Sequence, residues 1–172
     1  EMASKTRQLV SRLERLFSAP RELVPCMSTA EQQCYEDLLA QSESVVEYGV
    51  GGSTLIALKQ PNIKNYIGVD SDPEWIARLS KTPEVACAIS SGVATIIYID
   101  IGKVGNWGKP LNKTRIDNWP SYPTAPWAHT PSTDLVFIDG RFRVACILAA
   151  MLRASSRTLI AVHDFWDRPK YH

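Results

Sequence analysis

The stretch Val45-Val46-Glu47-Tyr48-Gly49-Val50-Gly51-Gly52-Ser53-Thr54 decides the fold of this chain. A short apolar run ends at an acidic residue, and a glycine-rich turn then leads into a helix-like segment over residues 54–58. Glycine is favoured where a backbone must turn tightly and approach a ligand without a Cβ atom in the way. The order of strand, glycine-rich turn and helix is typical of the first crossover in a nucleotide-binding α/β sheet.

Four more apolar runs follow, and each ends in or beside a carboxylate. The endings are Asp70, Asp100, Asp139 and the pair His163-Asp164. Asp70 stands about twenty residues beyond the glycine-rich turn, where the nucleotide-binding fingerprint has an acidic residue for the ribose hydroxyls. Because ligands bind outside the carboxyl ends of parallel strands, the five endings predict one shared crevice.

Helical patterns alternate with these strands and predict an α/β fold, a mostly parallel open sheet between two helical layers. Two N-terminal helices are expected before the sheet. Residues 4–18 carry apolar side chains at helical spacing, and Ser28 with Glu31 can form a capping box for the second helix. Residues 71–74 predict another helix start, and the apolar run 144–152 predicts a helix buried on most of its surface.

A single domain with four parts is expected. The parts are N-terminal helices (1–42), a cofactor-binding half (45–100), an insertion (101–133) and substrate-side strands (134–172). The insertion holds three tryptophans and five prolines and follows neither a helical nor a strand period. Two interpretations stay open, a surface loop pinned by its aromatic side chains and a flap that shapes a substrate site.

Composition excludes several classes of function. The 172 residues are 45% apolar and 22% charged, with a formal net charge of +1, which gives no general attraction to nucleic acid or an anionic membrane. No apolar run approaches the roughly twenty residues that span a bilayer, and no signal-peptide pattern is seen. The cysteines lack metal-ligand spacing, so reduced and mostly buried thiols in a cytoplasmic protein are predicted for Cys26, Cys34, Cys87 and Cys146.

The strand endings resemble the motifs of the class I S-adenosylmethionine-dependent methyltransferases, which have a three-layer Rossmann-like fold. Residues 47–54 are similar to the first motif of that family, Asp70 to the acidic residue that ends the second strand, and Asp100 to the motif after the third. Residues 137–140 and 163–165 resemble small O-methyltransferases of the catechol and macrolide-sugar type. The segment Asp139-Gly140-Arg141-Phe142-Arg143 is similar to one in short bacterial methyltransferase-like proteins.

This resemblance implies that S-adenosylmethionine is the cofactor. Glu47 would lie near the ammonium end of its methionine part, Asp70 would hold the ribose, and Asp100 with Ile101 would meet the adenine. The backbone of the turn would approach the methionine part through Gly49, Gly51, Gly52, Ser53 and Thr54.

The resemblance also implies an enzyme that transfers a methyl group to an oxygen of a small-molecule acceptor. Asp139 and Asp164 are the candidate catalytic residues. The candidate substrate contacts are Trp107, Trp127, Arg141 and Arg143. The two arginines could instead neutralise the carboxylates or form ordinary surface ion pairs. His163 is expected to be packed rather than catalytic, because consecutive strand residues point to opposite faces.

Two departures from the family pattern leave alternatives open. Phe165 stands where metal-dependent O-methyltransferases typically have Asn or Asp, so metal-free acid–base chemistry is favoured over a divalent metal at Asp139 and Asp164. The C-terminal antiparallel hairpin is predicted to be absent or truncated, because the chain ends at His172.

Other functions remain as alternatives. One is a methyltransferase-like binding protein without turnover, and another is an NAD-type dinucleotide binder, although Thr54 replaces its third glycine. Neither a nucleic acid nor a membrane is expected as a partner, and the oligomeric state, a dimer included, stays open.

Overall fold

The computed structural model describes residues 23–130, 132–166 and 168–171. Five parallel strands form one sheet in the order β3-β2-β1-β4-β5. The strands are β1 (Ser44–Tyr48), β2 (Asn65–Asp70), β3 (Ala94–Tyr98), β4 (Leu135–Ile138) and β5 (Leu159–Val162). The chain runs from β1 to one side of the sheet and then returns to the other, so a crevice opens at the carboxyl ends where the order reverses. The predicted α/β sheet is confirmed.

Helices cover both faces of the sheet. They are α1 (Thr29–Ala40), α2 (Gly52–Leu58), α3 (Pro73–Leu79), α4 (Pro83–Ser90), α5 (Ser121–Thr124) and α6 (Arg143–Arg153). The predicted capping box begins α1, because Ser28 Oγ accepts from the Glu31 amide and the Glu31 carboxylate accepts from the Ser28 amide. Asp72 caps α3, as residues 71–74 predict. The other expected N-terminal helix, residues 4–18, lies outside the described residues.

Strand alternation divides the core between the two faces of the sheet. On one face Val46 and Tyr48 of β1 join a buried cluster that includes Cys146 of α6. On the other face Val45 packs with Tyr35 of α1 and Ala57 of α2. The result is the expected three-layer arrangement.

The insertion contains local structure that its sequence pattern does not predict. Besides α5, it forms short 3-10 turns at Asn106–Gly108, Ile116–Asn118 and Ala125–Ala128. Tyr122 and Trp127 are buried against the sheet. These aromatic side chains pin the segment to the core.

Two predictions about burial are wrong. Helix α6 is not buried on most of its surface, since Leu148, Met151 and Leu152 are 56%, 64% and 84% exposed. Only one side of the helix packs on the sheet, so the apolar composition of the helix does not predict which of its residues are buried. The second prediction concerns the thiols, because Cys26, Cys34 and Cys87 are exposed and only Cys146 is buried. Cys34 lies on the outer side of α1, next to the buried Tyr35.

In the described part of the chain, no helix combines the length and the apolar character needed to cross a membrane.

Candidate cofactor and active site

A cavity of about 1090 Å³ opens at the carboxyl ends of the strands. Its lining includes the glycine-rich turn after β1, Asp70 at the end of β2, Asp139 after β4, and His163 with Asp164 after β5. The structure therefore brings together the turn after β1 and three of the four later strand endings that the sequence singles out. Small-molecule sites usually measure about 300–1,000 Å³, so this cavity has room for a large ligand or for two smaller ones.

The glycine-rich turn forms one wall of this cavity. Gly49 has φ +90°, and a Cβ atom there would lie 2.6 Å from the Gly140 backbone, so only glycine fits. At Gly52 a Cβ atom would overlap the backbone of Val24 and Pro25. Gly51 differs, because the nearest atom to a Cβ atom there would be in the Trp75 ring at 3.6 Å. A Cβ atom at Gly51 would thus lie beside Trp75 at the cavity without colliding with the described part of the fold.

Glu47 and Thr54 lie behind the turn. Glu47 is fully buried and accepts hydrogen bonds from Ser53 Oγ at 2.5 Å, from Thr54 Oγ1 at 3.3 Å and from the Tyr66 hydroxyl. Burial raises the pKa of Glu47 to about 7, although the hydrogen bonds from Ser53 and Tyr66 oppose the shift. Neither Glu47 nor Thr54 lines the cavity, so a direct contact with a cofactor is not supported by this geometry. They brace the turn instead.

Asp70 presents a carboxylate at the end of β2. One of its oxygens accepts from the Ser71 amide at 2.6 Å and from the Asp72 amide at 2.9 Å. Burial raises the pKa of Asp70 to about 6 against the effect of these amides. Trp75 lies nearby on α3 and donates its ring N–H to the Val50 carbonyl at 2.6 Å. Asp72 and Trp75 both line the cavity and were missed as site residues, although the helix start after Asp70 places them there.

Three further expected contacts, besides Glu47 and Thr54, lie outside the cavity lining. Asp100 accepts from Arg115 at 2.9 Å and from the Gly102 amide at 2.9 Å. Ile101 is fully buried in the core, and Trp127 donates its ring N–H to the Tyr48 hydroxyl at 2.9 Å. The insertion folds back beside the end of β3 and takes these residues into its own packing.

Of the predicted substrate contacts, Trp107 and Arg141 line the cavity. Trp107 lies on the 3-10 turn Asn106–Gly108 and is 65% exposed. Among the aromatic residues of the insertion it contrasts with Trp127, which is buried.

Arg143 also lines the cavity, but all its donors are used within the protein. Its Nε donates to the Gly140 carbonyl at 3.2 Å. Its Nη1 donates to the His163 carbonyl at 2.5 Å and to Asp164 Oδ2 at 3.4 Å, and its Nη2 donates to the Asp139 carbonyl at 2.9 Å and to Asp139 Oδ1 at 2.5 Å. A guanidinium has five N–H groups, so none is left for a substrate. Of the alternatives for Arg143, neutralisation of the two carboxylates is the one that the geometry supports.

The prediction that His163 points away from Asp164 is wrong. Strand β5 ends at Val162, and Asp164 has φ +54°, so the backbone has left the extended conformation in which neighbours alternate. His163 Nδ1 lies 3.1 Å from Asp139 Oδ1 and 3.6 Å from Asp164 Oδ1, and Nε2 lies 3.5 Å from Glu31 Oε1 on α1. The hydrogen bond with Asp139 raises the pKa of His163 above its ordinary value, and burial only partly opposes this.

The cluster of Asp139, His163 and Asp164 offers three ligand atoms within 4.8 Å of one another. However, Arg143 binds both carboxylates, and Arg168 also donates to Asp164 Oδ2 at 2.5 Å. Two guanidinium groups thus balance the two carboxylates. The guanidinium groups use Asp139 Oδ1 and Asp164 Oδ2, so a divalent ion bound by the other two carboxylate oxygens would lie beside Arg168 and beside Arg143, whose side chain is 4% exposed. This balance of charge favours a metal-free site over one that holds a divalent metal.

Comparison with known proteins identifies structural relatives. A methyltransferase-like protein from Silicibacter pomeroyi is 31% identical over 86% of this chain and 77% of its own, with a TM-score of 0.72. The cofactor-bound Rv0187 protein from MTB (23% identity, 90% and 63% of the two chains, TM-score 0.54) has a similar fold. So does a candidate caffeoyl-CoA O-methyltransferase from Staphylococcus aureus (12% identity, 95% and 75%, TM-score 0.55). No family model and no curated protein matches the sequence.

The sheet order, the glycine-rich turn and the acidic strand endings agree with this comparison. The chain belongs to the class I S-adenosylmethionine-dependent methyltransferases with a Rossmann-like fold.

Proposed function

We propose that this protein binds S-adenosylmethionine in the cavity and transfers its methyl group to an oxygen of a small-molecule acceptor. One observation carries the proposal. A single cavity extends from the glycine-rich turn and Asp70 to the His163–Asp139 pair. It therefore offers a place for a cofactor at one end and a group that can take a proton at the other.

The residues at the cofactor end suit this ligand. Gly51 leaves its cavity side open, and the Asp70 carboxylate can accept hydrogen bonds from two ribose hydroxyls. Trp75 adds an aromatic surface beside them. Bound there, S-adenosylmethionine would supply an electrophilic methyl group on a positively charged sulfur.

The residues at the other end suit an oxygen acceptor. As the acceptor oxygen bonds to the methyl carbon and the carbon–sulfur bond breaks, the hydroxyl proton must leave. We assign its uptake to His163, with Asp139 Oδ1 at 3.1 Å from Nδ1 orienting the ring and stabilising the imidazolium. Asp139 thus keeps a part in the chemistry, through His163.

Asp164 is a weaker candidate for proton uptake than the sequence suggests. Partial burial acts to raise its pKa, but the hydrogen bond from Arg168 and the charges of His163, Arg143 and Arg168 together hold that pKa below its ordinary value. A carboxylate held ionised in this way is a poor base. We assign Asp164 to positioning, because it binds Arg143 and Arg168 and so fixes the end of β5.

Methyl transfer from labelled S-adenosylmethionine to a panel of hydroxylated small molecules tests this assignment. Neutral His163 is the form that takes a proton, so kcat should rise with pH through a range above 6.5, its ordinary pKa. His163→Gln should lower kcat by about 10²-fold or more and remove this rise, since positioned proton transfer has that reach. Asp139→Asn should act in the same direction, whereas S-adenosylhomocysteine affinity stays within about twofold in both variants.

The exposed His129 provides the matched control, and His129→Gln should keep the rate and pH profile of the parent. Added Mg²⁺ or a chelator should leave the rate unchanged. Inactivation by the chelator would contradict the metal-free assignment, and full activity of His163→Gln would contradict the role of the base. Cofactor binding with no turnover on any acceptor would favour the non-catalytic alternative.

A further inference from the structure

Four basic side chains line the cavity, namely Lys109, Arg141, Arg143 and Arg168. Arg143 and Arg168 are bound to Asp139 and Asp164. Across residues 23–130, 132–166 and 168–171, the guanidinium of Arg141 has no ion pair, and its Nε is buried without a hydrogen-bond partner. Arg143 is thus fully hydrogen-bonded within the protein, whereas Arg141, two residues earlier, has no ion pair in the described part of the chain.

Contacts of the backbone and of the aliphatic part of the side chain hold Arg141 in position. Its amide donates to the Tyr122 hydroxyl at 3.3 Å, and its carbonyl accepts from the Cys146 thiol at 3.4 Å. Its Cγ lies 3.6 Å from the place where a Cβ atom of Gly108 would stand. A guanidinium nitrogen held in place, shielded from water and lacking an acceptor costs free energy unless a ligand supplies that acceptor.

A second donor lies behind the same wall, outside the cavity lining. Ser71 is 1% exposed, and its Oγ has no hydrogen-bond partner within the part of the chain that the structure describes. That oxygen is 3.3 Å from the same Cβ position at Gly108. Two buried donors from the ends of β2 and β4 therefore flank one glycine of the insertion, next to Lys109. A negatively charged group in the cavity would pair with the Arg141 guanidinium.

We propose that Arg141 binds a carboxylate of the methyl acceptor, so that the acceptor is a hydroxylated acid. A carboxylate matches a single guanidinium in charge and in its planar pair of oxygens. Arg141 lines the same cavity as Asp139 and His163, so one acceptor molecule can present its acid group to Arg141 and its hydroxyl to the His163–Asp139 pair. This inference rests on the proposed methyl transfer and names the class of its acceptor.

Calorimetric titration with a matched pair of probes, 3,4-dihydroxybenzoate and 3,4-dihydroxybenzamide, tests the inference. The protein loaded with S-adenosylhomocysteine should bind the acid more tightly than the amide. Arg141→Met should weaken binding of the acid by about 10- to 100-fold, the usual range for a lost charged hydrogen bond, and leave the amide unchanged. Arg141→Lys should recover part of the loss. Arg153→Met, at the exposed end of α6, is the control and should bind as the parent does.

Equal binding of acid and amide, or no binding of the acid by the parent, would overturn the inference. So would an Arg141→Met variant that binds the acid as well as the parent. An Arg141→Met variant that instead loses affinity for S-adenosylhomocysteine would show that Arg141 binds the carboxylate of the cofactor. That result would also overturn the inference. A parent that fails to bind S-adenosylhomocysteine contradicts the proposed function, and titration of the unloaded protein with the two probes then judges the acid site separately.

Discussion

Asp70 shows how much a strand ending can predict about one side chain. Its place at the end of an apolar run predicts a carboxylate at the crevice, and the structure has it there. Glu47 stands one residue before the end of β1, and alternation turns it to the face of Val45, towards Tyr66 and Thr54. Strand alternation can be applied to the sequence alone, and it places Glu47 on a sheet face and Asp70 at the crevice.

Asp70 also carries a prediction about pH. Its pKa of about 6, against an ordinary 3.8, means that the free protein takes up a proton there as the pH falls below about 6. Only the carboxylate can accept from both ribose hydroxyls, so affinity for S-adenosylhomocysteine should fall below that pH and level off above it. Titrations between pH 5 and pH 8 measure this.

The variant Asp70→Asn should bind about 10- to 100-fold more weakly at pH 8 and lose this pH dependence, because a charged acceptor is replaced by a neutral one. Asp117→Asn, at an exposed position of the insertion, should behave as the parent does. An unchanged pH dependence in Asp70→Asn would assign the titration to another group.

His163 marks the limit of residue-level prediction. The alternation rule applies only while the backbone is extended, and the positive φ of Asp164 ends it. The local sequence contains no pattern that predicts this turn. The five hydrogen bonds of Arg143 cannot be predicted from the sequence either, because their acceptors come from the separate strand ends of β4 and β5.

At the scale of elements, strands were easier to predict than helices. Apolar runs between polar boundaries predict β4 at residues 135–138, and the structure has the same bounds. Helix α4 was missed, since Pro83–Ser90 is short and follows α3 after only a brief turn. The turns of the insertion were missed because aromatic anchors such as Tyr122, rather than any period, hold them in place.

Helix α6 gives a prediction about packing that separates composition from burial. Leu152 is 84% exposed, whereas Leu39 of α1 is fully buried. Leu152→Ala should change the free energy of unfolding by less than about 0.5 kcal/mol. Leu39→Ala should cost about 2–5 kcal/mol, because it leaves a cavity in the core. Urea denaturation of both variants makes the comparison, and a loss of more than about 2 kcal/mol in Leu152→Ala would mean that another surface covers this helix.

For the whole molecule, the sheet order explains why distant residues share one site. Because all five strands are parallel, their carboxyl ends meet at one edge, and the crevice at the reversal of order could be predicted from strand endings alone. The distribution of charge within that crevice could not. The charge distribution depends on which arginine pairs with each carboxylate. Arg143 pairs with Asp139 and Arg141 does not, although the two arginines are only two positions apart in the sequence.

The central claim is that the turn after β1 holds S-adenosylmethionine, and Gly51 allows the most direct test. Its φ of 176° suits any residue, and among the described residues a Cβ atom there meets nothing closer than the Trp75 ring at 3.6 Å, so Gly51→Val should fold as the parent does. The valine would instead occupy the space of the cofactor. Calorimetric titration with S-adenosylhomocysteine should show one site per chain in the parent and none in a folded Gly51→Val. A parent that does not bind, or two proteins that bind equally well, would contradict the account.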